Sequence, residues 1–208
     1  MRLACFDMDG VIFEDINFWM ELHKAFGTFE EGKVLTEKYL RTDYGRLVEE
    51  VVVNLWQGLP ASAYYDLVNS ASYNPGAKEF FSYLQNNDYT TAIISASSLD
   101  LARRAQSDLG VDFVFANNLV IQNDKVSGEF HWPVGVGGEN KANIVRDLAK
   151  KLGVDLSKVI YVGDNVNDIE AFKIAGKSIA FNSEKSELKQ HAKHVVNTND
   201  LRELKKYF

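Results

Sequence analysis

The sequence has almost no cysteine and no long apolar run. Cys5 is the single cysteine among 208 residues, so no internal disulfide can form. This favours a reducing compartment, and we expect a cytoplasmic protein. No apolar stretch approaches the roughly 18 residues of a membrane span. The apolar run before Asp7 is too short for a secretory signal, so we expect neither a leader nor a membrane partner.

An excess of positive charge is also missing. The net charge is -6 and the pI is about 5.3, which argues against nucleic acid as a partner. The sequence shows no internal repeat and no low-complexity tract. Its composition, 46% hydrophobic and 25% charged, is that of an ordinary globular protein. The length fits one large domain, or a core domain with a smaller insertion.

What is present is an alternation of strand-like and helix-like segments. This alternation predicts an α/β fold, a Rossmann-like doubly wound parallel sheet with helices on both faces. A β-hairpin is predicted around Asn123-Asp124. Because ligands bind at the carboxyl ends of parallel strands, the residues at those ends are candidates for a site. Strands are predicted at residues 2–7, 89–95, 112–116, 158–162, 178–181 and 194–196.

Residues 14–74 form a block of predicted helices between the first two strands. In its longest helix, residues 42–60, the pairs Leu47/Val48, Val51/Val52 and Leu55/Trp56 recur every four residues. Shorter helices are predicted at 15–27, 30–40 and 61–71. We predict a small helical cap domain at 14–74, and a core domain made of residues 1–13 and 75–208.

The first strand ends in two closely spaced carboxylates. In the stretch FDMDGV, Asp7 and Asp9 are two residues apart, so on a strand they would point the same way. Like charges at that separation favour one group holding a proton. Gly10 follows, which is typical of a sharp turn. The sequence therefore predicts two acids with different protonation at one strand end.

Three later stretches place polar groups at the same predicted edge of the sheet, where the carboxyl ends of the strands meet. We call this edge the rim. Ser95 closes the second strand, Lys141 enters a helix after a glycine-rich loop, and GDNVND carries Asp164 and Asp168. Oxygen ligands from few residues suit Mg²⁺ better than Ca²⁺. The residues predict phosphoryl transfer: one carboxylate attacks phosphorus. Mg²⁺ and Lys141 would neutralise the phosphate, Ser95 would bind it, and the second carboxylate would act as acid and base.

These motifs, in this order, resemble those of the haloacid dehalogenase (HAD) superfamily, and the later half of the chain resembles its phosphoserine phosphatase-like branch. The resemblance implies Asp7 as nucleophile and Asp9 as general acid and base. It implies Mg²⁺ bound by Asp7, the Asp9 carbonyl and Asp164, with Asp168 supporting the site. Two further residues of the fourth motif are expected to support it, Gly163 and Asn167.

The resemblance weakens at the residues that would recognise the substrate. Phosphoserine phosphatases carry a glutamate where this chain has Ile16, and a cap arginine in a stretch that here reads EEVVVNLWQGLP. We therefore expect that phosphoserine is not the preferred substrate. Glu14, Asp15 and Asn17 suggest instead a substrate with hydroxyls or an amine. The candidate substrate contacts are Gly10, Ala96, Ser97, Glu14 and Arg46.

Two alternatives to a phosphatase remain open at this point. The same residues could transfer the phosphoryl group to a second substrate, as a phosphotransferase or mutase does. A receiver-like signalling domain also phosphorylates an aspartate, but Asp9 and the helical insertion argue against it. In each enzymatic case the expected partner is a small-molecule phosphate ester. The sequence leaves the oligomeric state open.

Overall fold

A computed structural model of the chain describes residues 2–14 and 16–208. Its centre is a seven-stranded sheet in the order β4-β3-β2-β1-β5-β6-β7. All neighbouring strands are parallel except β3 and β4, which form an antiparallel hairpin. The predicted α/β doubly wound fold is therefore confirmed. The strands are β1 (Arg2–Phe6), β2 (Tyr89–Ser98), β3 (Phe113–Gln122), β4 (Lys125–His131), β5 (Val159–Gly163), β6 (Lys177–Phe181) and β7 (His194–Val196).

The central strand β1 is covered on both faces. Its residues Leu3 to Phe6 are fully buried, as a continuous apolar run in a parallel sheet predicts. One face packs against α5 (Ala77–Asn86), α6 (Leu99–Leu109) and the C-terminal 3₁₀-helix Leu201–Tyr207. The other packs against α7 (Glu139–Leu152), α8 (Ile169–Ile174) and α9 (Ser186–His191). Cys5 lies in this second core.

Between β1 and α5 the described residues form helices and no strand of the sheet. The helices are α1 (Phe18–Ala25), α2 (Phe29–Tyr39), α3 (Tyr44–Val48), a π-helix (Glu49–Trp56) and α4 (Ser62–Ser70). We call residues 16–72 the helical insertion. A helix was predicted over 15–27, but α1 begins at Phe18, because the Asn17 side chain accepts the Met20 N–H and caps it. Asp15 lies outside the described residues.

Other element boundaries also differ from the sequence prediction. The helix predicted over 42–60 is a short α-helix that continues as a π-helix, where the run Val51-Val52-Val53 stands. Residues 112–116 and the first arm of the hairpin are one strand, β3. The hairpin turn itself is confirmed, with positive φ at Asn123 and Asp124. The 3₁₀-turn Val166–Asp168 leads directly into α8.

The insertion is hydrogen-bonded to the β3–β4 hairpin. Gly58 N–H donates to the Val126 carbonyl at 2.9 Å, and Val126 N–H donates to the Leu59 carbonyl at 3.0 Å. The Tyr64 hydroxyl lies 2.7 Å from the Ser98 hydroxyl at the end of β2. These contacts fix the insertion above the carboxyl ends of the strands. In the part of the chain that the structure describes, no helix combines the length and apolarity that a bilayer crossing requires.

Candidate active site

Asp7 lies immediately after the central strand. Its backbone N–H donates to the Val162 carbonyl at 2.9 Å, which extends the pairing of β1 with β5 by one residue. One carboxylate oxygen, Oδ1, accepts the Met8 N–H at 2.7 Å. Asp7 is 5% exposed, and Asp9 beside it is partly exposed. The end of β1 therefore places the Asp7 carboxylate in a nearly buried position, where one of its oxygens accepts a hydrogen bond from the next backbone N–H.

Lys141 joins Asp7 to Asp168. Its Nζ lies 2.6 Å from Asp7 Oδ2 and 2.7 Å from Asp168 Oδ1. Lys141 and Asp168 are both fully buried. Burial alone would lower the pKa of Lys141, but the carboxylates of Asp168 and Asp7 outweigh it and raise that pKa above its ordinary value. The amine is therefore a fixed cation on the first turn of α7.

Asp168 uses both of its oxygens to support its neighbours. Oδ1 accepts from Lys141 and, at 3.1 Å, from the Tyr161 hydroxyl. Oδ2 accepts the backbone N–H groups of Asp164 and Asn165, both at 3.2 Å. Burial, and next the Asp7 carboxylate, raise the pKa of Asp168 to about 6 against the opposing effect of Lys141. Asp168 is thus a positioning residue that orients Lys141 and the Asp164 turn.

The residues present fit a hard divalent cation. Asp7, Asp164 and Asp168 each offer an oxygen, and these oxygens lie within 4.8 Å of one another. Because Asp168 is occupied by four donors, Asp7 and Asp164 are the side chains best placed to bind a cation. Gly10 passes against this cluster with φ +76°, and a Cβ there would stand 2.3 Å from Asp164 Oδ2. An all-oxygen set with few protein ligands is the type that Mg²⁺ favours.

The β2 end brings the hydroxyl of Ser95 to the same rim. Ser95 is 2% exposed, and its Oγ accepts the Ser97 N–H at 3.1 Å. β2 continues through an irregularity to Ser98 rather than ending at Ser95 as predicted. The Ala96 carbonyl accepts from Asn117 at 2.9 Å. The turn that carries Ser95 is therefore held by neighbouring strands.

Hydrogen bonds join the GDNVND stretch to the glycine-rich loop that precedes α7. The Gly138 N–H donates to the Asn167 carbonyl at 2.8 Å, and the Asn167 side chain donates to the Val136 carbonyl at 3.3 Å. Gly163 is the last residue of β5, and a Cβ there would lie 2.4 Å from the Asp168 carboxyl group. Asn167 is thus bonded to the loop that precedes the helix of Lys141, and Gly163 leaves room for the Asp168 carboxyl group.

Asn74 is a structural residue of the site that the sequence analysis missed. It is 4% exposed where the chain returns from the insertion. Its side-chain amide donates to the Val11 carbonyl at 2.9 Å and to the Phe13 carbonyl at 3.1 Å. It therefore braces the loop that follows Asp7 and Asp9. Only its place in the turn YNPGA is visible in sequence, and that place does not reveal these partners.

The rim opens into a cavity of about 400 Å³ that extends under the insertion. Asp7, Asp9, Ser95, Ala96, Ser97, Asp164 and Asn167 line it at the rim, and Ile16 and Asn17 line it at the insertion. Glu14 is exposed, and Arg46 is exposed and paired with Glu49 at 2.8 Å. Neither is among the described residues that line the cavity.

Comparison with known proteins gives one consistent family. The family model described as haloacid dehalogenase-like hydrolase matches residues 4–173. A phosphoserine phosphatase of Methanocaldococcus jannaschii is 30% identical over 210 residues, which cover 99% of this chain and 97% of the relative. One of Archaeoglobus fulgidus is 32% identical over 201 residues. These cover 96% of this chain and 58% of that relative, so the chain spans little more than half of its length.

Solved structures give the same picture. One, described as a phospho-aspartyl intermediate analogue of phosphoserine phosphatase, superposes with a TM-score of 0.85 at 29% identity. The match covers 100% of this chain and 98% of that chain. The helical insertion is therefore part of the shared fold as well as the sheet.

Proposed function

Since the chain belongs to the haloacid dehalogenase-like hydrolases, as a phosphoserine phosphatase-like enzyme acting on phosphate monoesters, we propose that Asp7 is its nucleophile. The observation that supports this is the bonding of Asp7 to a buried cation at the rim of a cavity. Lys141 Nζ lies 2.6 Å from Asp7 Oδ2, and Asp7 lines the cavity. Family membership leaves the receiver-like alternative without support.

The reaction proceeds in two displacements at phosphorus. A carboxylate oxygen of Asp7 attacks the phosphorus, an O–P bond forms, and the bond to the ester oxygen breaks. The departing alkoxide takes a proton from Asp9, which lines the same cavity. Asp9, now a carboxylate, takes a proton from water, and the water oxygen attacks the aspartyl-phosphate. Inorganic phosphate leaves, and the Asp7 carboxylate and protonated Asp9 are restored.

The other rim residues hold the phosphoryl group and its charge. Lys141 stabilises the negative charge that develops on the phosphoryl oxygens, and Ser95 donates a hydrogen bond to one of them. Asp168 keeps the Lys141 amine in position through the 2.7 Å contact. Asp7 and Asp164, with the Asp9 carbonyl, would hold Mg²⁺, which when bound offsets the charge of the phosphate dianion.

The insertion acts as a cap in this proposal. Residues 14–74 are the cap domain, and residues 1–13 and 75–208 are the core. The insertion supplies the far wall of the cavity and is bonded to the hairpin through Gly58 and Val126. A covered cavity excludes water and restricts substrate size. The substrate is therefore a small phosphomonoester rather than a phosphoprotein.

Acid quenching of the enzyme during turnover tests the nucleophile. Wild-type protein given a phosphorus-labelled aryl phosphate and Mg²⁺ should retain acid-stable label, whereas Asp7→Asn should retain none. The kcat of Asp7→Asn should fall at least about 10³-fold, since an amide is a poor nucleophile. Asp147→Asn, on an exposed position of α7, is the control and should keep full activity. Label retained by Asp7→Asn would assign the nucleophile to another residue.

A further inference from the structure

The part of the cavity beyond the aspartates is built mainly from apolar side chains. The rim contributes carboxylates and hydroxyls, but the insertion and the hairpin contribute rings and branched aliphatic groups. Six residues form most of this apolar wall: Ile16, Trp19, Val51, Val52, Trp56 and Phe130. Ligand cavities generally recognise the chemistry that their walls offer. The wall therefore indicates what the non-phosphate part of a substrate looks like.

The polar atoms of the two indoles are already occupied. Trp19 Nε1 donates to the Ala96 carbonyl at 2.9 Å, and Trp56 Nε1 donates to Thr28 Oγ1 at 3.1 Å. The two rings are stacked at 6.4 Å between centroids, and Trp19 meets Phe130 edge-on at 5.4 Å. Because both N–H groups are bound within the protein, the indoles offer a ligand only hydrocarbon and ring faces.

The described residues at the apolar end of the cavity provide no charged partner for a ligand. Among the described residues that line the cavity, none is lysine or arginine, and the only carboxylates are Asp7, Asp9 and Asp164 at the rim. His23 also lines it, and burial lowers the pKa of that imidazole to about 4, so it is neutral at pH 7. Arg46 is turned away and paired with Glu49 and Glu50.

A charged substrate group would therefore lose its hydration in this wall without gaining a partner. An ion buried without a counter-charge is strongly disfavoured. Phosphoserine carries a carboxylate and an ammonium beside its phosphate, so it is poorly matched. The uncharged polar side chains that the insertion adds to the lining, Asn17, Thr36 and Tyr44, do not change this balance of charge.

We propose that the physiological substrate is a phosphomonoester whose organic group is uncharged and predominantly apolar, an alkyl or aryl monophosphate. This proposal rests on the phosphatase function proposed above and narrows its substrate. Ile16 and Val52 are the specificity-determining residues, because they line the wall where the resemblance predicts charged groups. The expected hydroxylated or amine-bearing substrate is replaced by an apolar one.

A series of alkyl phosphates tests the proposal with the full-length wild-type enzyme. From ethyl to butyl to hexyl phosphate, kcat/KM should rise about fourfold per methylene, the value of about 0.8 kcal/mol of burial each. Phosphoserine and phosphoethanolamine should fall at least about tenfold below butyl phosphate. A flat chain-length series, or phosphoserine ranked first, would overturn the proposal.

Two neighbouring valines provide a matched pair of variants. Val52 is 3% exposed and lines the cavity, whereas Val53 is 40% exposed and is not among the described lining residues. Val52→Thr adds a hydroxyl at nearly constant volume and should lower the hexyl-to-ethyl ratio of kcat/KM roughly tenfold. Val53→Thr should leave that ratio unchanged. Equal ratios in both variants would contradict the role of this wall.

Binding of phosphonates separates this inference from the proposed function. Hexylphosphonate and ethylphosphonate cannot be hydrolysed, so calorimetry in the presence of Mg²⁺ reports affinity alone. Hexylphosphonate should bind about 10²-fold more tightly to wild-type protein, at about fourfold for each of its additional methylenes. If no ester is hydrolysed but this preference holds, the catalytic proposal fails and the specificity proposal stands. Equal affinities alongside active hydrolysis would reject the specificity proposal alone.

Discussion

The two ends of the cavity are stabilised in opposite ways. At the rim, Asp7, Lys141 and Asp168 are ionisable groups buried next to one another and joined by contacts of 2.6 and 2.7 Å. Under the insertion, Trp19 and Val52 present an apolar surface that depends on packing. Removing one partner of a buried charge pair strongly destabilises the fold, because the other charge remains buried and unpaired. At an apolar wall, the free energy instead changes in proportion to the buried apolar surface that a substitution or a ligand removes or adds.

The difference predicts two kinds of response to substitution. At the charged rim a single change should be severe even where it preserves volume. At the apolar end an isosteric change should be mild in stability, and its effect should depend on the substrate. The predictions below test this contrast, beginning with the largest expected effect.

Replacement of Lys141 should produce the greatest loss. In Lys141→Met the carboxylates of Asp7 and Asp168 stay buried without their cation. We expect the free energy of unfolding to fall by about 3–5 kcal/mol, and turnover to fall by at least about 10³-fold. Urea unfolding and steady-state kinetics measure the two effects.

Lys173→Met is the matched control. Lys173 also contacts a carboxylate, Glu170, at 2.6 Å, but its side chain is 48% exposed. An exposed pair contributes only about 0–1 kcal/mol, so this variant should resemble the wild type. Similar losses of stability in the two lysine variants would show that burial does not determine how much an ion pair of this protein contributes to stability.

Replacement of Asp9 should affect substrates unequally. In Asp9→Asn the attack by Asp7 remains possible, but the leaving alkoxide lacks its proton donor. For an alkyl phosphate we expect kcat/KM to fall by about 10²–10⁴-fold, whereas an aryl phosphate with a stable leaving group should lose much less. Rapid-quench measurement of phosphoenzyme formation on both esters checks this. Equal losses for both esters would contradict the role of Asp9 as the acid.

The charged rim was largely predictable from sequence, because each group belongs to a short local motif. Asp7 and Asp9 share one strand end, and Asp164 and Asp168 share one turn. Parallel strands bring their carboxyl ends together whatever lies between them. The structure places Lys141 between two of these carboxylates. The residue roles remain predictions, but the placement needed only the motifs and the sheet.

The apolar end was not predictable in the same way. Trp19 and Trp56 pack in the core of the insertion and line the cavity as well. Their side chains come from separate helices and stack on each other, and Trp19 also meets Phe130 of the hairpin, so no local pattern reveals the wall. The π-helix Glu49–Trp56 follows a four-residue period that predicts an ordinary helix. Glu14 and Arg46 carry suitable chemistry, but the described cavity does not include them among its lining.

Asn74 braces the loop that follows Asp7 and Asp9, and its replacement should show an intermediate effect. Asn74→Asp is nearly isosteric, but it turns a donor into an acceptor that faces the Val11 and Phe13 carbonyls. We expect the free energy of unfolding to fall by about 2–3 kcal/mol, because buried acceptors lose their partner. Asn199→Asp, at an exposed position, is the control and should change it by less than about 0.5 kcal/mol. Unchanged stability in Asn74→Asp at neutral pH would show that Asn74 does not stabilise the loop after Asp7 and Asp9.

His23, a titratable residue at the apolar end of the cavity, provides the test with the smallest expected effect. His23 is 2% exposed, its Nδ1 lies 2.8 Å from Thr28 Oγ1, and its ring lies 4.6 Å from that of Trp56. Burial lowers its pKa from 6.5 to about 4, although the Thr28 hydrogen bond and Glu31 oppose the shift. The wall thus holds this imidazole in its neutral form, as an apolar environment should.

The sign of the resulting pH dependence follows from the two pKa values of His23. Between pH 6.5 and about 4 the unfolded chain binds a proton that the folded chain rejects, so stability falls as the pH falls through that window. Near pH 4.5 we expect His23 to cost the wild type about 2 kcal/mol relative to pH 7.5. His23→Gln cannot titrate, so urea unfolding at the two pH values should show a smaller loss in this variant by that amount. His191→Gln, at an exposed residue, should retain the wild-type slope. If His23→Gln also retains it, the imidazole binds its proton equally well in the folded and unfolded chain, and the wall does not exclude the charged form.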